Sequence, residues 1–384
     1  MTPISRRSLL AAGSVAPLFA QSGGGGGGSS KGRLVYIGTY TKGSSKGIYA
    51  AHFDSGTGEM TTPKLVAETP NPTFLALSPD RKYLYAANEV ENYKGTHNGS
   101  LVSYKVDRNT GQLTEINMVD SNGSGPCHLA VDQTGHTVVT ANYGSGSAAS
   151  YHIDDGRMSD AVSKFQYHGH GADEKRQEGS HAHCTTVSPD NRFVLVNDLG
   201  LDKIHVYHLN PSTAELKPAD PPAWDAAPGS GPRHLVFHPN HRIVYSNNEM
   251  KNNVDVLSWD PAKGTLKTLQ SVSTLPPDFK EENSTAEIAV DSKGKFVYVS
   301  NRGKDSIAVF SVNPQNYTLT LIANTSTGGK TPRHFALDPT EKWLLAENEE
   351  GGNIVSLHRD PSSGLLSPTG KSYSIESAVC LLFV

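Results

Sequence analysis

Past the first thirty or so residues, apolar and polar positions alternate with a period of two, in short runs broken by Gly, Pro, Asp and Asn. No stretch there holds a 3.6-residue apolar period, so the pattern predicts strands and tight turns rather than helices. Six segments can be set in register. They are PTFLALSPDRKYLYAANE from Pro72, PCHLAVDQTGHTVVTANY from Pro126, HAHCTTVSPDNRFVLVND from His181, PRHLVFHPNHRIVYSNNE from Pro232, TAEIAVDSKGKFVYVSNR from Thr285 and PRHFALDPTEKWLLAENE from Pro332. Their third residues are Phe74, His128, His183, His234, Glu287 and His334, spaced by 54, 55, 51, 53 and 47. An asparagine follows each after 14 residues: Asn88, Asn142, Asn197, Asn248, Asn301 and Asn348.

Each segment reads as an alternating strand, a turn such as SPD, DQTG or HPN, and a second strand rich in Val, Tyr and Leu. A third strand follows (SAASYHID, KIHVYHL, NVDVLSWD, SIAVFSV), and turn clusters such as DSGTGEM, DRNTGQLT and DPAKGTLK lead on to a fourth. A repeat of about 50 residues carrying four antiparallel strands predicts one propeller blade, and the chain length holds about seven. The expected fold class is therefore all-β: a seven-bladed β-propeller of four-stranded antiparallel blades over residues 33–384. Its seventh blade is split. RLVYIGTYTKGSSKGIYAAHFD at the front matches the second and third strands, and the tail ESAVCLLFV supplies a missing one. Pairing of these N- and C-terminal segments would close the ring and remove its edges.

Ring symmetry turns this register into a chemical map. With the turn midway, the third residue and the asparagine are expected to face each other at one end of the first hairpin. Equivalent positions then stand at one height around one mouth of the channel. That mouth is expected to carry Thr73, Cys127, Ala182, Arg233, Ala286 and Arg333, the third residues themselves, and Glu89, Tyr143, Asp198, Glu249, Arg302 and Glu349. A strand needs none of these ionisable groups to fold. A rim of His, Arg and Glu can bind an anion, move protons and hold developing negative charge. The asparagines, alike in all six segments, are expected to be structural caps.

His183 stands at the end of HGHGADEKRQEGSHAH, and the long loop from Lys164 to Ser180 is expected to fold over the mouth and bring Arg176 and Gln177 to it. His181 and His183 form a His-x-His pair, with His168 and His170 close by, but spacing fixes no third ligand, so no metal and no cofactor is expected. Candidate substrate-binding residues are His128, His181, Arg176, His234, Glu287, Arg333 and His334; for His128 and His334 a bond to a neighbouring blade's backbone is the competing role.

Composition removes other classes. Lys and Arg number 34 against 38 Asp and Glu among 384 residues, a net charge of −4, with no long basic run. Nucleic-acid and membrane-surface partners are therefore not expected. Three scattered cysteines are too few for a disulfide framework or a thiolate metal site. Residues 1–20, MTPISRRSLLAAGSVAPLFA, combine Arg6-Arg7 with an apolar stretch too short to span a bilayer and with small residues near Ala20. This resembles a twin-arginine export signal. A Gly-rich linker, residues 21–32, follows with six consecutive glycines. The expectation is an exported, periplasmic protein without membrane insertion of the mature chain; a non-functional leader would leave it cytoplasmic. A closed ring needs no partner to hide its edges, so a monomer is expected.

The strings GPCHLAVDQTG, RQEGSHAHCTTVSPDNRFVLVNDLGLDKI, GPRHLVFHPN, TLPPDFKEENSTAEIAVDSKGKFVYVSNRGKDSIAVF and TPRHFALDP resemble the seven-bladed lactonase family, from about Arg33 to Val384. Its namesake members are 6-phosphogluconolactonases, and the strings are also similar to fungal carboxy-muconate lactonising enzymes. The resemblance implies a metal-independent enzyme that opens a sugar lactone with water. It also implies site residues His183, Arg233, Glu249 and Arg302, all four on the rim mapped above. His183 would take a proton from water, Glu249 would orient it or a water, and the arginines would hold the substrate's anionic group and the oxyanion. The small-molecule partner would be 6-phospho-D-glucono-1,5-lactone or a related gluconolactone. Ser180 stands where relatives usually have proline, Ala289-Val290 where a histidine is common, and Glu347 and Glu349 add charges that oppose a phosphate nearby. Two other readings keep the fold: lactonisation of a muconate-type diacid, and a non-catalytic exported propeller, since YVSNRGKDSIAVF also resembles surface-layer-type repeats.

Overall fold

A computed structural model describes residues 32–384, and there the chain forms strands and turns with no helix. The leader read over residues 1–20 and, but for Gly32, the linker of 21–32 lie outside the described residues. Blade 1 consists of Pro72–Leu77, Tyr83–Asn88, Ser100–Val106 and Leu113–Asp120, paired in that order. Five further four-stranded sheets of consecutive strands follow, ending with blade 6 at Ser374. In blade 7 the tail strand Ala378–Phe383 pairs antiparallel with Arg33–Thr39, Val35 opposite Phe383 and Ile37 opposite Leu381. Gly47–Asp54 comes next, and the outer strand is broken into Glu59–Met60 and Lys64–Glu68. The two ends of the described chain thus close the ring, as expected.

Seven apolar clusters fill the interfaces between the blades. Alternation along the second strand builds two of them at once: Leu84 and Ala86 pack toward blade 7, Tyr85 and Ala87 toward blade 2. Both faces being covered, these strands are buried almost along their whole length, their Thr, Ser and Asn residues included. Each large apolar side chain buried there stabilises the ring by about 1.5–3 kcal/mol. Outer strands such as Arg157–Gln166 alternate instead between packed and solvent-facing residues. Tyrosine hydroxyls also reach across: Tyr36 donates to Gly111 O, Tyr245 to Tyr317 O and Tyr298 to Gly364 O, each in a turn of the next blade.

Every innermost strand carries one extra residue. Pro72 pairs with Asn88 and Phe74 with Ala87; Pro232 pairs with Asn248 and His234 with Asn247. The third residue therefore does not face the asparagine, and the residue before it bulges out of the ladder. Bulges re-aim side chains. Apart from Asn197, the asparagines are buried caps: Asn88 Nδ2 donates to Thr69 Oγ1 (2.8 Å) and Asn142 Nδ2 to Ser121 O (3.1 Å), each tying the incoming loop from the preceding blade.

Blade 3 departs from the register read in the sequence. Ala182 pairs with Asp198 and Cys184 with Asn197, so the bulged residue is His183. The His-Ala-His run had drawn the alignment one residue out. His183 occupies the position of Arg233 and Arg333, Cys184 that of His128, His234 and His334, and Asp198 replaces the capping asparagine. Its Oδ1 accepts the N–H groups of His181, Gly200 and Leu201 at 2.9–3.1 Å.

Truncation after Glu376 should remove the innermost strand of blade 7 and expose the edges of Arg33–Thr39 and of the adjoining clusters. Loss of the cooperative thermal transition, with aggregation in size-exclusion chromatography, is the expected result; an unchanged melting temperature would show that this strand does not close the ring.

Candidate active site

The bulged residues and those just beyond the second strands converge at one mouth of the channel. They enclose a cavity of about 330 Å³, lined by Tyr40, Glu89, Cys127, Tyr143, Arg176, His183, Glu249, Ser284, Arg302 and Arg333. That is the low end of small-ligand cavities and suits one sugar-sized molecule.

Glu249 is its electrostatic centre. Oε2 lies 2.9 Å from Arg233 Nε and 2.8 Å from Arg302 Nη2, and Oε1 lies 2.6 Å from Arg176 Nη2. Burial alone would raise this carboxyl, but Arg302, Arg233 and Arg176 hold it well below the usual carboxylate range. A carboxylate so committed cannot serve as a base near neutrality. It makes no hydrogen bond to His183 among the described residues, so it positions arginines, not the histidine. Arg233 is fully buried; burial and the neighbouring Arg302 and Arg333 lower its pKa to about 10, and Nη1 donates to Ala286 O at 2.6 Å. Opposite stands a second pair. Arg333 lies over the Tyr40 ring, 5.3 Å from its centroid, and 4.0 Å from Glu89 Oε2. Glu89 in turn accepts from Tyr40 Oη at 2.9 and 3.0 Å and from Thr73 Oγ1 at 2.7 Å.

His183 is 5% exposed and lines the cavity. Burial, with the charge of Arg233, holds it well below the ordinary histidine range, so it is neutral at pH 7. Nδ1 lies 3.8 Å from Cys127 Sγ, and Nε2 makes no hydrogen bond to the described residues.

The other histidines do not share this height, a correction to the single rim expected. Because the bulge sends only its own residue to the mouth, His128, His234, Glu287 and His334 point into the channel beneath it and do not line the cavity. The rings of His128 and His234 stand 5.1 Å apart, with Phe74 3.8 Å from His128. His234 Nδ1 lies 3.0 Å from Glu287 Oε2, and His334 Nδ1 2.6 Å from Glu347 Oε2. These side chains, with Cys184 Sγ 3.5 Å from His128 Nε2, form a buried polar plug. Glu347 belongs to that plug and Glu349 faces a separate groove, so neither charge lines the cavity.

The loop before blade 3 does bring Arg176 to the mouth, but Gln177 is fully buried and anchors the loop. Its Nε2 donates to Leu199 O and Asp202 Oδ1, and its Oε1 accepts from Ala172 N and Asp173 N. A Cβ on Gly200 would stand 1.9 Å from Gly179 O, so the close seat of the loop requires glycine there. His181 stacks on Tyr143, centroids 4.4 Å apart, with Nδ1 3.0 Å from Tyr143 O, and does not line the cavity. Tyr40 and Ser284 were missed. Tyr40 follows Thr39 in the split blade as Glu89 follows Asn88 in blade 1, so carrying the register into the front segment would have found it.

Residues 34–383 match the family model described as lactonase, 7-bladed beta-propeller. The chain is 38% identical over 350 residues to the 6-phosphogluconolactonase of Bacillus subtilis, covering 91% of this chain and 97% of that protein. It is 35% identical to the 6-phosphogluconolactonase of Formosa agariphila, over 86% of this chain and 94% of that one. Among solved structures, the periplasmic gluconolactonase of Pseudomonas aeruginosa superposes with a TM-score of 0.86 at 32% identity, covering 92% and 99% of the two chains.

Replacing Glu249 with Gln leaves the guanidiniums facing one another without their counter-ion, and should cost about 3 kcal/mol of unfolding free energy at pH 7. Because the folded-state pKa is depressed, that contribution is complete above the unfolded value of about 4.3 and shrinks as pH falls toward the folded one. Denaturant titrations of both proteins from pH 7 to pH 3 should show the gap constant at first and narrowing below pH 4.3. A gap that widens on acidification would contradict the assignment.

Proposed function

The chain belongs to the seven-bladed β-propeller lactonase family, and from that premise we propose that it hydrolyses a sugar lactone of the gluconolactone type. The observation that carries this reading is a neutral, partner-free imidazole nitrogen beside buried guanidiniums in one sugar-sized cavity. His183 Nε2 takes a proton from water as the water attacks the lactone carbonyl. Arg302 and Arg333, with Arg233 behind them, hold the oxyanion, and Glu249 fixes the arginines in place before substrate arrives. The released ring oxygen takes the proton back as the acid product forms. Arg176, reached from the loop, closes one side over the substrate.

Charge counting favours an unphosphorylated substrate. Arg176, Arg302 and Arg333 line the cavity and Arg233 lies behind, against Glu89 and Glu249, a surplus of two positive charges. One developing oxyanion uses half of that surplus and leaves a single positive charge, less than a phosphate needs. A phosphate of about −1.5 to −2 together with the oxyanion exceeds it, and Glu89 leaves no unopposed cation on the Arg333 side. Glu89 suits sugar hydroxyls, which donate to carboxylate. The twin-arginine-like leader supports an exported enzyme, in keeping with the periplasmic relative from P. aeruginosa.

In assays on purified protein, D-glucono-1,5-lactone should show a higher kcat/KM than its 6-phosphate. The reverse order would overturn the charge count, and turnover of neither would overturn the lactonase reading. H183Q should lower kcat about 10²-fold or more. Since the base must be deprotonated and burial lowers its pKa, the acid limb of kcat/KM should fall below pH 6.5; a limb above that value would point to a different base.

A further inference from the structure

The cavity holds one nucleophilic atom that the hydrolysis above does not use. Cys127 is the bulged residue of blade 2, as His183 is of blade 3, so the ring seats the two side by side in the cavity wall. Cys127 Sγ lies 3.3 Å from His183 O, 3.7 Å from Ala182 O, 3.9 Å from Ala141 O and 3.8 Å from His183 Nδ1. Resting on the lactonase reading, we propose that Cys127 is a positioning residue, which fixes His183 as the Nδ1–H tautomer and so turns the Nε2 lone pair into the cavity.

Geometry decides between this role and that of a nucleophile. A thiolate among three carbonyl oxygens would face only the negative ends of their dipoles, and nothing there donates to it but Nδ1–H. Burial likewise pushes the thiol up. The sulfur therefore keeps its hydrogen, and its shortest contact directs that hydrogen to His183 O. What remains toward the imidazole is sulfur lone pair, an acceptor, so Nδ1 carries the ring hydrogen. Nδ1 has no other side-chain partner among the described residues, whereas His234 and His334 each turn Nδ1 to a carboxylate. A carboxylate beside His183 would fix the same tautomer but would also cancel part of the arginine field. A thiol fixes it without adding charge.

The test pairs a spectroscopic readout with kinetics, on the full protein labelled with ¹⁵N-histidine and with the His183 signal assigned by its loss in H183Q. Wild type and C127S should show Nδ1–H at His183, and C127A a mixture of tautomers. kcat should fall about tenfold or more in C127A, as for a misdirected catalytic group, and be largely restored in C127S, whose hydroxyl can take the same hydrogen. An Nε2–H tautomer in wild type overturns the assignment, as does a C127A protein with unchanged tautomer and kcat. So does a C127S protein as inactive as C127A together with an acyl adduct on wild-type Cys127 in intact-mass spectra, since that would make the thiol a nucleophile. If wild type turns over no lactone, the lactonase reading fails while the tautomer measurement still decides the Cys127–His183 pairing.

Discussion

One extra residue in each innermost strand is the constraint from which the site follows. A regular ladder would point alternate side chains into the neighbouring blades or along the channel, and none would be shared at the mouth. The bulge breaks that alternation once per blade, at the same level in all seven. Three of those side chains, Cys127, His183 and Arg333, line one cavity, and Arg233 lies just behind them. Local irregularity, repeated by symmetry, becomes a concave site. Blades can therefore vary the bulged residue freely, from Thr73 to Cys127, His183 and Arg233, while their apolar interfaces stay alike.

Convergence has an electrostatic consequence. Arginines delivered from blades 4, 5 and 6 and from the loop before blade 3 would repel one another in a buried space. Glu249 offsets this with both oxygens, and Glu89 with Tyr40 restrains Arg333 on the far side. Beneath them, Glu287 and Glu347 are bonded to histidines and shielded from solvent. The channel is thus layered, with cations at the mouth and carboxylate–imidazole pairs below. Rigidity comes with the layering, because Arg176, Arg233 and Arg302 are all held by the buried Glu249.

The fold was legible because its signals are redundant: six copies of one hairpin, each with a turn-forming centre, and five with the same capping asparagine. The candidate site was legible only in part. Glu249, Arg302 and Arg333 line the cavity, since their positions follow from register, Arg233 lies just behind them, and Arg176 arrives on its loop. His128, His234, Glu287 and His334 do not line it, because a bulge leaves no mark in the residue pattern and had been read as regular pairing. At His183 the residue survived an alignment one place out. The copy Ala-His-Cys lacks the Pro-x-His of its neighbours, and only the pairing of Cys184 with Asn197 reveals the slip. Tyr40 was hidden by the split blade, where the missing first strand removed the reference point for counting.

Burial lowers the basicity of His183 most, and the guanidinium charge that adds to it would, in the proposed hydrolysis, also stabilise the oxyanion. Guanidiniums that disfavour an imidazolium favour a negative oxygen in the same cavity, so in the free protein the base is weak but always available. In the proposed hydrolysis, negative charge gained by the lactone carbonyl would cancel part of the field acting on His183. Its affinity for a proton would then rise in step with the bond to water, and proton transfer would be coupled to oxyanion formation without any group moving. A free carboxylate beside His183 would have weakened that coupling, by raising the base before it is needed and lowering the field where the oxyanion forms. Holding Glu249 entirely on the arginines, and leaving the imidazole only a neutral thiol, would on this proposal keep both effects available for the transition state.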